Sequence, residues 1–123
     1  MKKCRPLIGA SLLLCSGTIF SQESLENTLR WKTASEVGNF GFHIYRSKSS
    51  DGPFRRITDS PVAGAGTTDV PQAYHYTDQS IEPCTVYWYY IESIAMNGET
   101  EVFTPILKVS QKPALGQTSC AQR

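Results

Sequence analysis

Two histidines and two cysteines are the side chains best suited to metal binding or covalent chemistry beyond the N-terminal segment. His43 and His75 lie in different β-like segments, so they are not expected to converge as zinc ligands must. Cys84 and Cys120 form an isolated pair, which is compatible with two unpaired thiols or, in an oxidising compartment, with a disulfide. We therefore predict no metal site from these residues.

The acidic and glycine-rich segments add no catalytic constellation. Asp51, Asp59, Asp69 and Asp78 fall in predicted turns, where an aspartate typically binds its own backbone. A calcium site that includes Asp69 and Asp78 is the less favoured interpretation. The AGAG segment from Ala63 to Gly66 is not followed by a predicted helix, as a phosphate-binding loop would be. We predict that the protein is not an enzyme and binds no cofactor.

The chain begins with a segment typical of a signal peptide. A basic start, MKKCR, precedes an apolar stretch from Leu7 to Leu14 that is too short to span a bilayer. Cleavage after Ser21 is favoured over cleavage after Gly17. Cys15 stands at the depth of a lipid-attachment cysteine, but a leucine precedes it where a small residue is needed, so membrane anchoring is disfavoured. We predict a signal peptide over residues 1–21 and a secreted or periplasmic protein.

The remaining residues are enough for one domain. Of the 123 residues, about 100 follow the predicted cleavage site, the size of a single β-sandwich. From Gln22 onward, nine basic residues accompany eleven acidic ones, a formal charge of about −2. No basic cluster predicts binding to nucleic acid or to anionic lipid. We expect the domain over residues 22–110 and a C-terminal tail over residues 111–123.

Alternation of apolar and polar residues predicts short strands after the leader. The segment FGFHIYRS places Phe40, Phe42 and Ile44 on one face, FRRI is a short strand, and TVYWYYIESIA is the strongest strand. The segment SPVAGAGTTDVPQ has little periodicity and is predicted to be a loop. Asn97-Gly98 is predicted to form a two-residue type I′ turn. The predicted structural core comprises Leu29, Trp31, Phe42, Ile44, Tyr87, Tyr89 and Ile91.

Three features over about residues 25–109 resemble the fibronectin type III family. The LRW segment from Leu29 to Trp31 resembles its strand B with an inward tryptophan, and IEPCTVY from Ile81 to Tyr87 resembles its turn into strand F. The third is the ending formed by strand F, an Asn-Gly hairpin and strand G. The resemblance, closest to the bacterial extracellular form of the module, implies an all-β, immunoglobulin-like sandwich. It also implies that Tyr87 forms a tyrosine corner by bonding to nearby backbone.

The chain departs from this family at Cys84, because the residue after the proline of this motif is usually glycine. The resemblance places Cys84 at the entrance to strand F, the end of the sheet where strand G finishes. Cys120 follows Val109 by eleven residues, so it is within reach. We therefore predict a Cys84–Cys120 disulfide that ties the tail to the turn before strand F.

A second departure concerns strand A, the first strand of the family. Only Gln22 to Leu25 would precede strand B after cleavage, so strand A is expected to be missing or very short. The strand-B edge would then be open to strand addition by a partner, or by the retained leader of an uncleaved form. Protection of this edge by a short stub and charges such as Arg30 and Lys32 is the favoured alternative.

The predicted sheet of FGFHIYRS (strand C), strand F and strand G presents a candidate binding face. The alternation that buries its core side chains points His43, Tyr45, Trp88 and Tyr90 outward on neighbouring strands. Such a cluster suits protein partners or sugar rings, although cross-strand pairs that only stabilise the sheet are slightly favoured. We predict an extracytoplasmic interaction module that binds an unidentified protein through this face or through the open edge. Carbohydrate binding by Tyr45, Trp88 and Tyr90, or a structural role in a cell-surface assembly, is the alternative.

Overall fold

A computed structural model describes residues 25–110 and Cys120, and these residues form an all-β fold. The described part contains no helix, and therefore none that is long and apolar enough to cross a membrane. The predicted signal peptide, and the predicted tail apart from Cys120, lie outside the described residues. In chain order the strands are β1 (Asn27–Thr33), β2 (Glu36–Ser47), β3 (Arg55–Arg56), β4 (Val62–Thr68), β5 (Gln72–Asp78), β6 (Val86–Ala95), β7 (Thr100–Val102) and β8 (Leu107–Ser110).

The strands form two sheets that enclose one core. β1 pairs antiparallel with β5, and this two-stranded sheet covers a six-stranded sheet in which β2 and β6 are central. β2 pairs with β3, β4 and β6, whereas β6 pairs also with β7 and β8. Strict alternation of buried and exposed residues along β1 sends every second side chain inward. The buried apolar side chains are Leu29, Trp31, Phe42, Ile44, Ile81, Tyr87, Tyr89 and Ile91.

The turn into β6 contains the tyrosine corner that the resemblance implied. The backbone N–H of Glu82 donates a hydrogen bond to the Tyr87 hydroxyl at 3.0 Å, which fixes the turn against the buried strand. Cys84 in this turn has a φ of +54°, in the left-handed region that glycine adopts without a Cβ penalty. The left-handed backbone explains why the family usually has glycine at this position. Cys84 adopts the same backbone conformation at a cost in conformational energy.

The segment predicted to be a loop before β5 contains strand β4, so that prediction was wrong. Its inward positions include Gly64 and Gly66, whose side chains are too small to produce hydrophobic alternation. The small residues allow β4 to approach β2 closely. A Cβ on Gly64 would lie 2.8 Å from the backbone oxygen of Asn39, and one on Gly41 would lie 2.5 Å from that of Val62.

The first part of β2 also differs from its prediction. The strand begins at Glu36, four residues before the predicted FGFHIYRS segment, and its register with both neighbours shifts between Asn39 and Gly41. Asn39 lies opposite Ala95 and Gly41 lies opposite Ile94, so Phe40 is the extra residue of a bulge and is left unpaired with β6. Phe40 is therefore 51% exposed, and the prediction that it shares the inner face with Phe42 was wrong.

The hairpin between β6 and β7 has a three-residue loop, Met96 to Gly98, and the predicted type I′ turn was wrong. The N–H of Ala95 donates to the Glu99 oxygen, and the N–H of Gly98 donates to the Ala95 oxygen. A type I′ turn needs positive φ at both central residues. Of Asn97 and Gly98, only Gly98 has it, with a φ of +92°. The glycine is still required, but at the end of the turn.

One edge of the two-stranded sheet has no strand beside it within the described residues. β1 pairs with β5 over its whole length, from Asn27 opposite Asp78 to Thr33 opposite Gln72. Among residues 25–110 and Cys120, no strand pairs with its other edge. Strand A of the fibronectin type III pattern is therefore not represented in this part of the chain.

Candidate functional site

Strands β2 and β6 position the candidate binding face. Tyr45 lies opposite Tyr90, and Ser47 lies opposite Trp88. Directly opposed residues of an antiparallel pair project from the same face of the sheet. The alternate residues of β6, namely Tyr87, Tyr89 and Ile91, are buried in the core. Tyr45, Trp88 and Tyr90 therefore project outward. We name this surface, together with Phe54, the outer aromatic face.

Tyr90 contacts two other rings of the outer aromatic face. The rings of Tyr45 and Tyr90 are parallel within 4°, with centroids 4.8 Å apart. Phe54 is tilted against Tyr90 at 5.1 Å. Parallel rings at this separation must overlap face to face, since rings lying side by side in one plane would be farther apart. Tyr45 and Tyr90 therefore each cover one face of the other ring.

A carboxylate beside the stack restrains it. The Tyr45 hydroxyl donates a hydrogen bond of 3.1 Å to Glu92. Burial raises the pKa of Tyr45, and the hydrogen bond to Glu92 raises it further. Burial and the charge of Glu92 also raise the pKa of Tyr90. Both phenols remain neutral donors at neutral pH, so the face presents aromatic carbon, hydroxyl groups and one carboxylate.

Trp88 extends the face toward β8. It lies opposite Lys108 in the register of β6 and β8, and the Lys108 ammonium is 6.0 Å from the indole centroid. This is the outer limit of a cation–π contact, worth about 0.5 kcal/mol at an exposed site. Both side chains thus lie on the same face of the sheet as Tyr90.

His43 was predicted to contribute to this face, but it is only 9% exposed. Its Nδ1 is 2.7 Å from the Thr58 hydroxyl, and its Nε2 is 3.4 Å from Arg56. Burial lowers the pKa of His43, and Arg56 lowers it further. The segment after β3 covers the ring, an arrangement that alternation along β2 does not reveal.

Phe54 belongs to the outer aromatic face, although sequence reasoning did not single it out. It lies between the Asp51-Gly52-Pro53 turn and β3, and β3 pairs with β2 beside Tyr45. A turn directly before a short strand was visible in the sequence. It was the pairing of Arg56 with Tyr45 that brought this ring beside Tyr90.

Asp78, the carboxylate considered for calcium, is engaged by other groups. Arg46 Nη1 donates to both of its oxygens at 3.1 and 2.9 Å, and the Tyr89 hydroxyl donates at 2.6 Å. Burial raises the pKa of Asp78, but hydrogen bonds from Tyr89, Arg46 and Ser80 outweigh it and lower the pKa. In the described part of the chain, no group of three or more His, Cys, Asp or Glu residues is arranged to hold a metal ion.

A second buried carboxylate, Glu36, was not singled out by sequence analysis. Hydrogen bonds reach it from Thr33 at 2.7 Å, Asn39 at 2.7 Å, Tyr74 at 2.6 Å and the Ala65 backbone N–H at 2.9 Å. Burial acts to raise the pKa of Glu36, but these donors lower it to about 2. The carboxylate joins β1, β2, β4 and β5, so its role is structural.

A disulfide joins Cys84 to Cys120, with the two Cα atoms 5.2 Å apart. It closes a covalent loop between residues 36 positions apart. Because Cys84 precedes β6 and β8 ends beside the start of β6, the bond lies at the end of the sheet where the predicted tail begins. The predicted pairing is thus present in the structure.

The two antiparallel sheets, the buried Trp31 and the tyrosine corner at Tyr87 define a fibronectin type III-like β-sandwich. No family model matches the chain. The chain is similar to a segment of an amylopullulanase from Thermoanaerobacter thermohydrosulfuricus, with 33% identity over 73 residues. The match covers 58% of this chain and 4% of that protein.

A solved structure is also similar. The crystal structure of a Fn3-like protein from Clostridium thermocellum matches with a TM-score of 0.49 and 23% sequence identity. The match covers 74% of this chain and 82% of that one. The fold class stated above follows from this chain's own sheets and tyrosine corner.

Proposed function

We propose that the chain is an exported, non-catalytic interaction module that binds a protein through the outer aromatic face. The observation that carries the proposal is the position of Tyr45, Phe54, Trp88 and Tyr90 on the side of the sheet opposite the core. The core is already complete on the inner side. Rigid aromatic side chains provide large contact areas at little entropic cost, and they dominate binding energy at protein interfaces.

The stacking geometry favours a protein partner over a sugar. A sugar ring binds to an exposed aromatic face, but Tyr45 and Tyr90 cover each other, and Phe54 contacts Tyr90. The four side chains of the outer aromatic face are half-buried, so each keeps an exposed part that suits the irregular surface of a protein. Trp88 differs from the other three. Among the ring contacts of the described residues, its indole has only the one with the Lys108 ammonium.

Carbohydrate binding is the second candidate function, and two observations favour it. Trp88 offers an indole ring next to Tyr90, and the chain is similar to a short segment of an amylopullulanase. If this function is correct, a Trp88→Ala variant should lose binding on a glycan array. A Tyr45→Ala variant should retain most of it, because the Tyr45 ring is covered by Tyr90.

Strand addition at β1 is a second route to a protein partner. Among the described residues, the outer edge of β1 lies beside no other strand, and an open edge can accept a partner's strand through backbone hydrogen bonds. Thr28→Pro and Arg30→Pro are suitable variants, because proline removes a donor from the strand. Loss of a partner with these variants, but not with variants of the aromatic face, would support the edge as the binding site.

The non-catalytic and exported parts of the proposal have separate support. The buried carboxylates of Glu36 and Asp78 accept hydrogen bonds from their neighbours and thus stabilise the fold. The Cys84–Cys120 disulfide suits an oxidising compartment. The basic and apolar N-terminal segment is typical of a signal peptide. Fractionation of the producing cell, with intact-mass analysis of the exported form, tests export and the cleavage site together.

The decisive experiment is affinity purification of the mature protein from its native cell envelope after chemical crosslinking. We expect a partner that is lost in a Trp88→Ala/Tyr90→Ala variant. The matched control is His75→Ala, because His75 is exposed on the outer side of the two-stranded sheet. A partner retained by the double variant, with thermal stability unchanged, would contradict the proposal. If variants of the outer aromatic face and variants of the β1 edge all retain the same crosslinked partners, the result would favour a structural role in a cell-surface assembly.

A further inference from the structure

A cleft of about 240 Å³ opens at one end of the sandwich, between the β1–β2 turn and the β6–β7 hairpin. Its apolar lining includes Phe42 and Phe103, whose rings meet edge to face at 5.5 Å. Val37 forms part of its wall and is 85% exposed. None of the four residues of the outer aromatic face lines this cleft. We name it the hairpin cleft.

All charged residues that line the hairpin cleft are glutamates, namely Glu36, Glu99 and Glu101. Glu36 accepts its hydrogen bonds from neutral donors only, so its negative charge is not compensated. Glu99 and Glu101 are exposed at the rim. In the described part of the chain, the salt bridges are Arg46–Asp78 and Lys48–Glu82, and neither involves a glutamate of the cleft.

We propose that the hairpin cleft binds a basic side chain of a partner protein, a lysine or an arginine within an apolar segment. The aliphatic stem of such a side chain would lie along Phe103 and Val37, and its charged head would reach Glu99 and Glu101. A cation beside Phe103 would gain a further contact with the ring. The apolar lining and the acidic rim thus complement the two parts of one side chain.

An inorganic cation fits the hairpin cleft less well. Calcium takes six to eight oxygen ligands, whereas the oxygens of Glu36 are already occupied by hydrogen bonds from Tyr74, Thr33, Asn39 and Ala65. That leaves two exposed carboxylates over an apolar lining. A lysine or an arginine needs only one or two carboxylates and gains from the apolar surface.

Arg123 lies too close to the disulfide in sequence to supply this side chain. Cys120 is bonded to Cys84, which precedes β6, whereas the hairpin cleft lies at the far end of β6. Ten strand residues span about 33 Å. Arg123 follows Cys120 by only three residues, which is about 10 Å of extended chain. Those three residues are too few to carry the Arg123 side chain from Cys120 to the hairpin cleft.

The test uses the full oxidised protein and a fluorescent hexapeptide in which leucine and lysine alternate. A hexapeptide of alternating leucine and glutamate is the matched probe. We expect the lysine peptide to bind measurably better, and its affinity to fall about tenfold in a Glu99→Gln/Glu101→Gln variant. The control is Glu26→Gln/Glu82→Gln, which removes two exposed charges at the other end of the sandwich. This control should change the affinity less than twofold.

Val37 provides a second test that leaves Glu99 and Glu101 unchanged. Because its side chain is almost fully exposed, Val37→Lys and Val37→Glu should both leave the thermal midpoint nearly unchanged. We expect Val37→Lys to weaken binding of the lysine peptide and Val37→Glu to strengthen it. Equal binding of the two peptides, or equal losses in the rim and control variants, would overturn the proposal. Trp88→Ala/Tyr90→Ala should leave peptide binding intact, which separates this site from the outer aromatic face.

Discussion

The Tyr89 hydroxyl donates a 2.6 Å hydrogen bond to the carboxylate of Asp78 between the two sheets. The pair joins β6 to the end of β5. The same hydroxyl accepts a hydrogen bond from the Asn27 side chain of β1 at 2.9 Å, and Arg46 of β2 binds the same carboxylate. One buried polar cluster thus connects four strands, two from each sheet.

Removal of the Tyr89 hydroxyl should destabilise the fold. In a Tyr89→Phe variant, Asp78 loses a donor and Asn27 loses an acceptor in a buried setting, which costs about 1–3 kcal/mol. We expect this loss in the free energy of unfolding measured by urea titration. The control is Tyr45→Phe, whose hydroxyl bond to Glu92 is partly exposed and whose effect should be below about 1 kcal/mol. Equal effects of the two substitutions would contradict the prediction.

Glu36 should make the fold sensitive to acid. Its pKa is about 2 in the folded protein, against 4.5 for an unperturbed glutamate. Because the unfolded chain takes up the proton first as the pH falls, the stabilisation is complete above about pH 5 and is lost progressively toward pH 2. After allowance for solvent screening, it amounts to about 2 kcal/mol.

The measurement is the free energy of unfolding as a function of pH for the wild type and a Glu36→Gln variant. At pH 7 the variant should be less stable, and the two curves should approach each other below about pH 4, where Glu36 loses its advantage. An Asp59→Asn variant is the control, because Asp59 is exposed. Parallel curves for the wild type and Glu36→Gln down to about pH 2 would show that the carboxylate charge does not matter.

Most of the fold could be predicted because large side chains mark its strands. Trp31 and Tyr87 lie in the interior with strict alternation around them. β4 could not be recognised, because Gly64 and Ala63 carry too little side chain to distinguish an inner from an outer face. The bulge near Phe40 arises from pairing with two neighbouring strands at once. Such a constraint is absent from the local sequence.

The outer aromatic face could be predicted in part for a related reason. Tyr45 and Tyr90 are outward by alternation alone, and their register then places them opposite each other. His43 has the same parity but is covered by Thr58, and Phe54 joins the stack from a neighbouring strand. Contacts between residues on different strands depend on how the segment after β2 folds back. The alternation within β2 does not specify that path.

Substitution of Gly64 and substitution of Gly98 should destabilise the fold for different reasons. A Cβ on Gly64 would meet the backbone oxygen of Asn39 at 2.8 Å, whereas one on Gly98 would meet nothing within 4 Å. Gly64→Ala should therefore separate β4 from β2, at a cost of about 1–3 kcal/mol. Gly98→Ala should cost about 1 kcal/mol, because its φ of +92° disfavours a Cβ.

Asparagine substitutions distinguish the two causes. Asparagine tolerates left-handed backbone better than alanine does, so Gly98→Asn should be more stable than Gly98→Ala in thermal unfolding. Gly64→Asn should be less stable than Gly64→Ala, because the larger side chain worsens the contact with Asn39. The opposite order at either position would contradict this explanation.

The disulfide should stabilise the fold by restricting the unfolded chain. The loop between Cys84 and Cys120 spans 36 residues, and the chain-entropy relation gives roughly 3–4 kcal/mol for a loop of this size. After export, the intact mass of the reduced protein should exceed that of the unreduced protein by two hydrogen atoms. A Cys84→Ala/Cys120→Ala variant should lose most of this free energy of unfolding.

A matched variant separates the effect of losing the crosslink on stability from the effect of the left-handed backbone at Cys84. Cys84→Gly/Cys120→Ala removes the same bond, but it also removes the Cβ at a residue whose φ is +54°. Glycine adopts this conformation without penalty, so the glycine variant should be more stable than the alanine variant by about 1 kcal/mol. Equal stability of the two variants would mean that the turn relaxes once the crosslink is gone. A glycine variant as stable as the oxidised wild type would mean that the disulfide only offsets the strain of the residue that forms it.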